Sequence, residues 1–152
     1  MVQPVATAND LAFRITEEIR VKAPLETTFQ ALLEELGPSH QVAEDRPLPM
    51  KLEAWPGGRW YRDLGNDNGH FWGHVQAIKR PTLIEICGPL FMSSAVVSNL
   101  QYRLTPVEGG TLITFVHSGM GLVPEEHRVG MTNGWAYSHA RIRTSAERLA
   151  KK

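Results

Sequence analysis

Apolar and polar residues alternate along residues 11–21. Leu11, Phe13, Ile15, Ile19 and Val21 stand against Arg14, Thr16, Glu18 and Arg20. This is the period of a strand with one buried face. Glu17 is the exception, a carboxylate on the apolar side. Ala23-Pro24 breaks the pattern, and Pro24 suits the first turn of a helix running to Leu36. Leu25, Phe29, Leu32, Leu33 and Leu36 lie near helical spacing, and Gly37-Pro38 ends it. Residues 39–49 are less regular and read as a second short helix and a loop. Strands are then predicted over 50–55, 59–64, 70–78 and 83–87. Their punctuation is Pro56-Gly57-Gly58, the dense turn signal of 65–69, and Arg80-Pro81.

The last third is the most regular. A strand over 95–105 carries Val97, Leu100, Tyr102 and Leu104, and a turn in 106–110 returns it through 111–118. Pro124 opens a long terminal helix with a buried stripe of Trp135, Ile142, Ala146 and Leu149, His139 and Ala140 lying beside it. Gly130 and Gly134 weaken this helix locally. A kink or break near them is compatible with the sequence, the continuous part then starting nearer Thr132. The order β-α(α)-β-β-β-β-β-β-α with short connections favours sequential antiparallel pairing. The fold class is therefore α+β: a curved antiparallel sheet of about seven strands around a long C-terminal helix, with two short helices after the first strand.

Composition narrows the picture. The 152 residues suit one domain, taken as 11–152 behind a flexible tail of 1–10. With 42% hydrophobic and 21% charged residues the chain is globular rather than disordered. Net charge is zero, but from His127 onward six basic residues face one acid, Glu147. That reads as a solvated helix face with cations at its C-terminal end. No zinc spacing, P-loop or long basic block accompanies it, so nucleic acid is not an expected partner. Cys87 is the only cysteine, which fits a reducing compartment. The N-terminus has no signal-peptide pattern, and no apolar run approaches the roughly 20 residues that span a bilayer. A cytoplasmic protein without membrane insertion, monomer or homodimer, is the expectation.

Four stretches carry a family resemblance: IRVKAPLETTFQALL, WPGGRWYRD, GHFWGHVQAIKRPTLIEI, and YRLTPVEGGTLITFVHSGMG followed by Gly134-Trp135. With them the chain resembles the START-like, or Bet v 1-like (SRPBCC), helix-grip superfamily, from about Phe13 to the C-terminus. Within it, the chain is most similar to the branch related to the C-terminal domain of the activator of the Hsp90 ATPase. The resemblance implies a seven-stranded sheet gripping a long helix, with a cavity between them. Members include hydrophobic-ligand binders, aromatase/cyclase-like enzymes, hydroxylase components and chaperone cofactors, with no family-wide catalytic residue. The chaperone-activating role belongs to larger proteins with an extra N-terminal domain, for which 152 residues leave no room.

Candidate site residues follow from the strand faces. His70, Trp72 and His74 share one face by the period of two. Inward, they form a polar-aromatic wall; outward, a solvated face. Two histidines at this spacing lack a visible third ligand, so no metal is expected, and no cofactor. His117 follows Thr111, Ile113 and Phe115 on one face, at a cavity mouth or bonded to loop backbone. Glu17 is either satisfied from neighbouring strands by Tyr102, Arg103, Arg59 or Tyr61, as in a structural ion pair, or turned outward by a bulge, or joined to a histidine as an acid/base pair. Trp60, Trp72, Tyr102, Phe115, His117, Trp135 and His139 are the candidate ligand-binding residues. Glu17, His70, His74 and His117 are the weak catalytic candidates.

The leading functional reading is binding of a hydrophobic or aromatic small molecule between sheet and helix. The alternatives are a cyclase-, dehydratase- or hydrolase-like enzyme in the same cavity, and a chaperone-associated interaction module.

Overall fold

The computed structural model describes residues 8–152. A single helical turn, α1 (Ala8–Leu11), runs into strand β1 (Ala12–Val21). The rest of the expected tail lies outside the described residues. Along β1 the odd-numbered residues turn toward the core, with Ile19 and Val21 fully buried. Helix α2 (Leu25–Leu36) begins after Pro24 and buries Phe29, Leu32 and Leu36. Its end is closed twice. The Gly37 amide donates to the Leu33 and Glu34 carbonyls, at 3.0 and 3.2 Å. The Leu36 carbonyl, which has no partner within the helix, accepts the Trp60 indole N–H at 2.8 Å.

Residues 39–49 correct the expectation of a second short helix. They form a small antiparallel ribbon, β2 (Gln41–Val42) with β3 (Arg46–Pro47). Glu44 and Asp45 sit at its tip with φ of 65° and 56°, left-handed values that no α-helix accommodates. Pro47 and Pro49 further remove donors that a helix would need. Tyr137 Oη donates to Asp45 Oδ1 at 2.7 Å and accepts from the Asp45 amide at 3.2 Å, tying the tip to the terminal helix.

Strand β4 (Lys51–Leu52) is shorter than the predicted 50–55. The chain leaves the sheet after it, turning through Pro56-Gly57-Gly58, while the Glu53 carboxylate takes both the backbone and guanidinium of Arg59. The remaining strands are β5 (Arg59–Gly65), β6 (Asn68–Lys79), β7 (Leu83–Gly88), β8 (Val96–Val107) and β9 (Gly110–Gly121). Asn66 and Asp67 join β5 to β6 with positive φ at both, the geometry of a two-residue hairpin turn. The seven-stranded antiparallel sheet has the order β1-β9-β8-β7-β6-β5-β4.

Helix α3 (Glu125–Ala150) covers one face of this curved sheet, and runs unbroken through Gly130 and Gly134. It packs on α2 and β1. Trp135, His139, Ile142 and Ala146 are buried on it, Trp135 packing on Phe115 of β9 and His139 on Phe115 and on Tyr102 of β8. The architecture is the expected helix-grip fold. No described helix is long and apolar enough to cross a membrane.

A bulge sets the face of β6. Trp60 pairs with Gly73 but Tyr61 pairs with Phe71, so Trp72 is an extra residue opposite β5. Gly73 follows with no room for a side chain: a Cβ there would lie 2.7 Å from the Cys87 carbonyl oxygen. Beyond the bulge the alternation is shifted by one.

Candidate functional site

The main hollow is a cleft of about 630 Å³ at one end of the sheet–helix sandwich, within the size range of small-molecule sites. Three elements wall it. The ribbon side contributes His40, Gln41, Val42, Ala43 and Leu48. The β7–β8 loop contributes Phe91, Met92 and Ser93. The first half of α3 contributes Gly130, Met131, Gly134 and Trp135 among others, and Trp72 of β6 forms the base between them. The walls are largely apolar.

Trp72 and Trp135 are joined by Phe91, with ring centroids 5.9 and 6.0 Å away. Trp60 stands edge-on behind Trp72 at 4.9 Å, and Phe115 lies behind Trp135 at 4.9 Å. These edge and tilted contacts hold an aromatic wall whose outer members face the cleft. Phe91 is 39% exposed, so the wall's centre is open to an incoming molecule.

Both wall tryptophans are oriented by a histidine and a serine. Trp72 Nε1 donates to His70 Nδ1 at 2.8 Å, and His70 Nε2 lies 3.3 Å from Ser93 Oγ. Trp135 Nε1 donates to His117 Nδ1 at 3.0 Å, and His117 Nε2 lies 2.9 Å from Ser98 Oγ. An indole N–H only donates, so each Nδ1 must be bare and each Nε2 carries the proton. The serine hydroxyls accept, and Ser93 Oγ keeps its own proton for a group in the cleft. Burial holds His117 well below the usual imidazole range, at about 4.

A third chain lies deeper. His139 Nδ1 meets Glu17 Oε1 at 2.5 Å, and His139 Nε2 meets Tyr102 Oη at 3.0 Å. His139 Nδ1–H donates to the carboxylate, leaving the bare Nε2 to accept from the phenol O–H. Burial depresses the His139 pKa, with the Glu17 carboxylate opposing. Burial chiefly, then the Glu17 charge, pushes the Tyr102 phenol up. This chain ties β1 and β8 to α3, with Tyr102 and His139 buried and Glu17 at its partly exposed outer end.

The sequence candidates therefore separate by position. Trp72 and Trp135 line the cleft. His70 and His117 stand behind them as orienting partners. Trp60, Tyr102, Phe115 and His139 are core residues, away from the cleft surface. His74 does not share the face of His70 and Trp72: the bulge turns it outward, where its ring lies tilted against exposed Phe71 at 4.8 Å. Glu17 hydrogen-bonds His139 and none of His70, His74 or His117. The ribbon residues His40 and Gln41 and the loop residues Phe91 and Ser93 were missed by sequence reasoning. They lie in irregular segments without periodicity, where only the general tendency of sites to sit on loops would have pointed.

The fold has solved counterparts. An uncharacterised protein from Rhizobium leguminosarum superposes with a TM-score of 0.71 at 19% identity, covering 90% of this chain and 95% of that one. The protein Ara h 8.0201 gives 0.64 at 12% identity, covering 89% and 97%. The di-domain ARO/CYC StfQ of the steffimycin biosynthetic pathway gives 0.66 at 12% identity, covering 95% of this chain and 54% of that one. No curated protein matches the sequence. The family model described as activator of Hsp90 ATPase homolog 1-like protein matches residues 22–147.

Proposed function

Since the chain belongs to the activator of Hsp90 ATPase homolog 1-like family, whose helix-grip fold it displays, we propose that it binds a hydrophobic or aromatic small molecule in the cleft between the β2–β3 ribbon, the β7–β8 loop and α3. The observation that carries this reading is the wall of Trp72, Phe91 and Trp135 around about 630 Å³ of largely apolar space. The indole N–H groups of both tryptophans are satisfied behind the wall, so their ring faces are presented rather than their polar edges. Binding is favoured over catalysis by the same bonds. His70 donates to Ser93 and so is not placed to take the Ser93 proton, as a nucleophile would require. The Glu17–His139–Tyr102 chain has no member on the cleft surface.

Native mass spectrometry of gently purified protein would look for a retained small molecule. Titration with N-phenyl-1-naphthylamine, an apolar fluorescent probe, would measure uptake directly. The expected result is saturable binding weakened by Trp72→Ala or Phe91→Ala. Failure of the wild-type protein to bind this probe, with no retained molecule, would refute the reading.

A further inference from the structure

Gly130 and Gly134 are the residues of α3 that the fold explains least. Glycine is the worst ordinary residue for a helix interior and alanine the best. Neither position has the positive φ that would call for glycine. Neither is crowded, since a Cβ built on either meets no atom within 4 Å. They stand four residues apart, hence on one face, and both line the cleft. What they achieve there is a strip of helix backbone without side chains.

A second set of observations concerns polar groups. His40 is only 7% exposed and lines the same cleft. Its Nδ1 donates to the Glu35 carbonyl at 3.1 Å, which leaves Nε2 as a bare acceptor with no partner among the described residues. Beside it, Gln41 Oε1 is the one buried side-chain polar atom among the described residues that has no hydrogen-bond partner. Buried acceptors without a donor are rare and costly. Gln41 Oε1 is one such atom, and it stands beside a second acceptor on the same cleft wall, His40 Nε2.

We propose that the cleft is built for a flat aromatic ring system carrying a hydroxyl or N–H donor. The ring lies against the bare backbone at Gly130 and Gly134, and the donor serves the acceptors of His40 and Gln41. This rests on the cleft being a ligand site. An anionic substituent is disfavoured against these two atoms, because neither His40 Nε2 nor Gln41 Oε1 can donate to it.

The full chain would be titrated calorimetrically with 2-naphthol, 2-methoxynaphthalene and 2-naphthoate. Wild type is expected to bind 2-naphthol about tenfold more tightly than the methyl ether, which cannot donate, and more tightly than the carboxylate. Gln41→Leu should remove the preference for 2-naphthol over its ether. Gly130→Ala and Gly134→Ala should raise the melting temperature, by about 2–4 °C each. Gly130→Leu and Gly134→Leu should weaken 2-naphthol by about tenfold while the fold stays intact. Opposite signs for stability and binding are what a purely structural glycine would not produce. Equal binding of naphthol and ether, or leucine variants that bind like wild type, would overturn the proposal while leaving a general hydrophobic site standing. A melting temperature that falls in the alanine variants would assign the glycines to the fold instead. If wild type binds none of the three naphthalene derivatives and no N-phenyl-1-naphthylamine, the ligand site itself is refuted.

Discussion

Replacing His117 by glutamine should flatten the acid side of the stability curve. His117 is wholly buried, edge-on to Phe13 at 5.1 Å and to Trp135 at 5.6 Å. Its Nδ1 faces the Trp135 indole N–H, so a second proton on the ring would meet another donor. Burial lowers its pKa from 6.5 to about 4. The sign follows from proton counting. Above pH 6.5 the imidazole is neutral in both folded and unfolded chains, and its contribution is intact. Between 6.5 and 4 the unfolded chain takes up a proton that the folded chain refuses. Stability therefore falls with falling pH, by about 1.4 kcal/mol per pH unit. Across that window the loss is about 3 kcal/mol, and below the folded pKa it levels off. Glutamine retains one acceptor and one donor but does not titrate. The variant should be less stable than wild type at pH 7.5, by about 1–2 kcal/mol for imperfect packing and hydrogen bonding. Its curve should then meet or cross that of wild type as the pH is lowered toward 4. Urea unfolding monitored by circular dichroism at half-unit pH steps would measure both curves. Other titrating groups enter both proteins alike and drop out of the difference. Parallel curves from pH 7.5 to 4 would refute the burial and hydrogen-bonding argument for His117.

Two further outcomes test the framework of the site. Tyr102→Phe leaves His139 Nε2 buried without its donor, and should cost about 1–3 kcal/mol in urea unfolding; an unchanged midpoint would mean that the Glu17–His139–Tyr102 chain is not formed. Gly73→Ala places a methyl 2.7 Å from the Cys87 carbonyl and against Ile86. It should destabilise by about 2 kcal/mol or more, and a variant as stable as wild type would show that the β6 bulge is not as tight as described.

The local periods of the sequence were enough for most of the scaffold. Alternation in 11–21 and 111–118 names the inward residues of β1 and β9 correctly, because each strand there runs without a bulge and the period of two is kept. The helical spacing of Trp135, Ile142 and Ala146, with His139 beside them, likewise names buried positions of α3, but the same stripe put Leu149 inside, and it is 36% exposed in the last turn, where the helix ends at Ala150. Even Glu17, an anomaly on the apolar side of its strand, announces that a partner must exist.

The identity of that partner was not legible. His139 is 122 residues away and comes from the covering helix, not from a neighbouring strand. His74 illustrates the same limit at short range: one extra residue at Trp72 reverses its face, and nothing in a period-two pattern marks where a sheet will bulge. The site itself is the largest case. By itself the sequence determined which residues are apolar, how often they recur, and hence which elements form and which faces they bury. Only the tertiary structure decided that an irregular ribbon, a loop and two glycines of α3 would meet around Trp72 and Trp135. Periodicity records the demand of a chain to bury a face, whereas a cleft is what remains where several such faces fail to close.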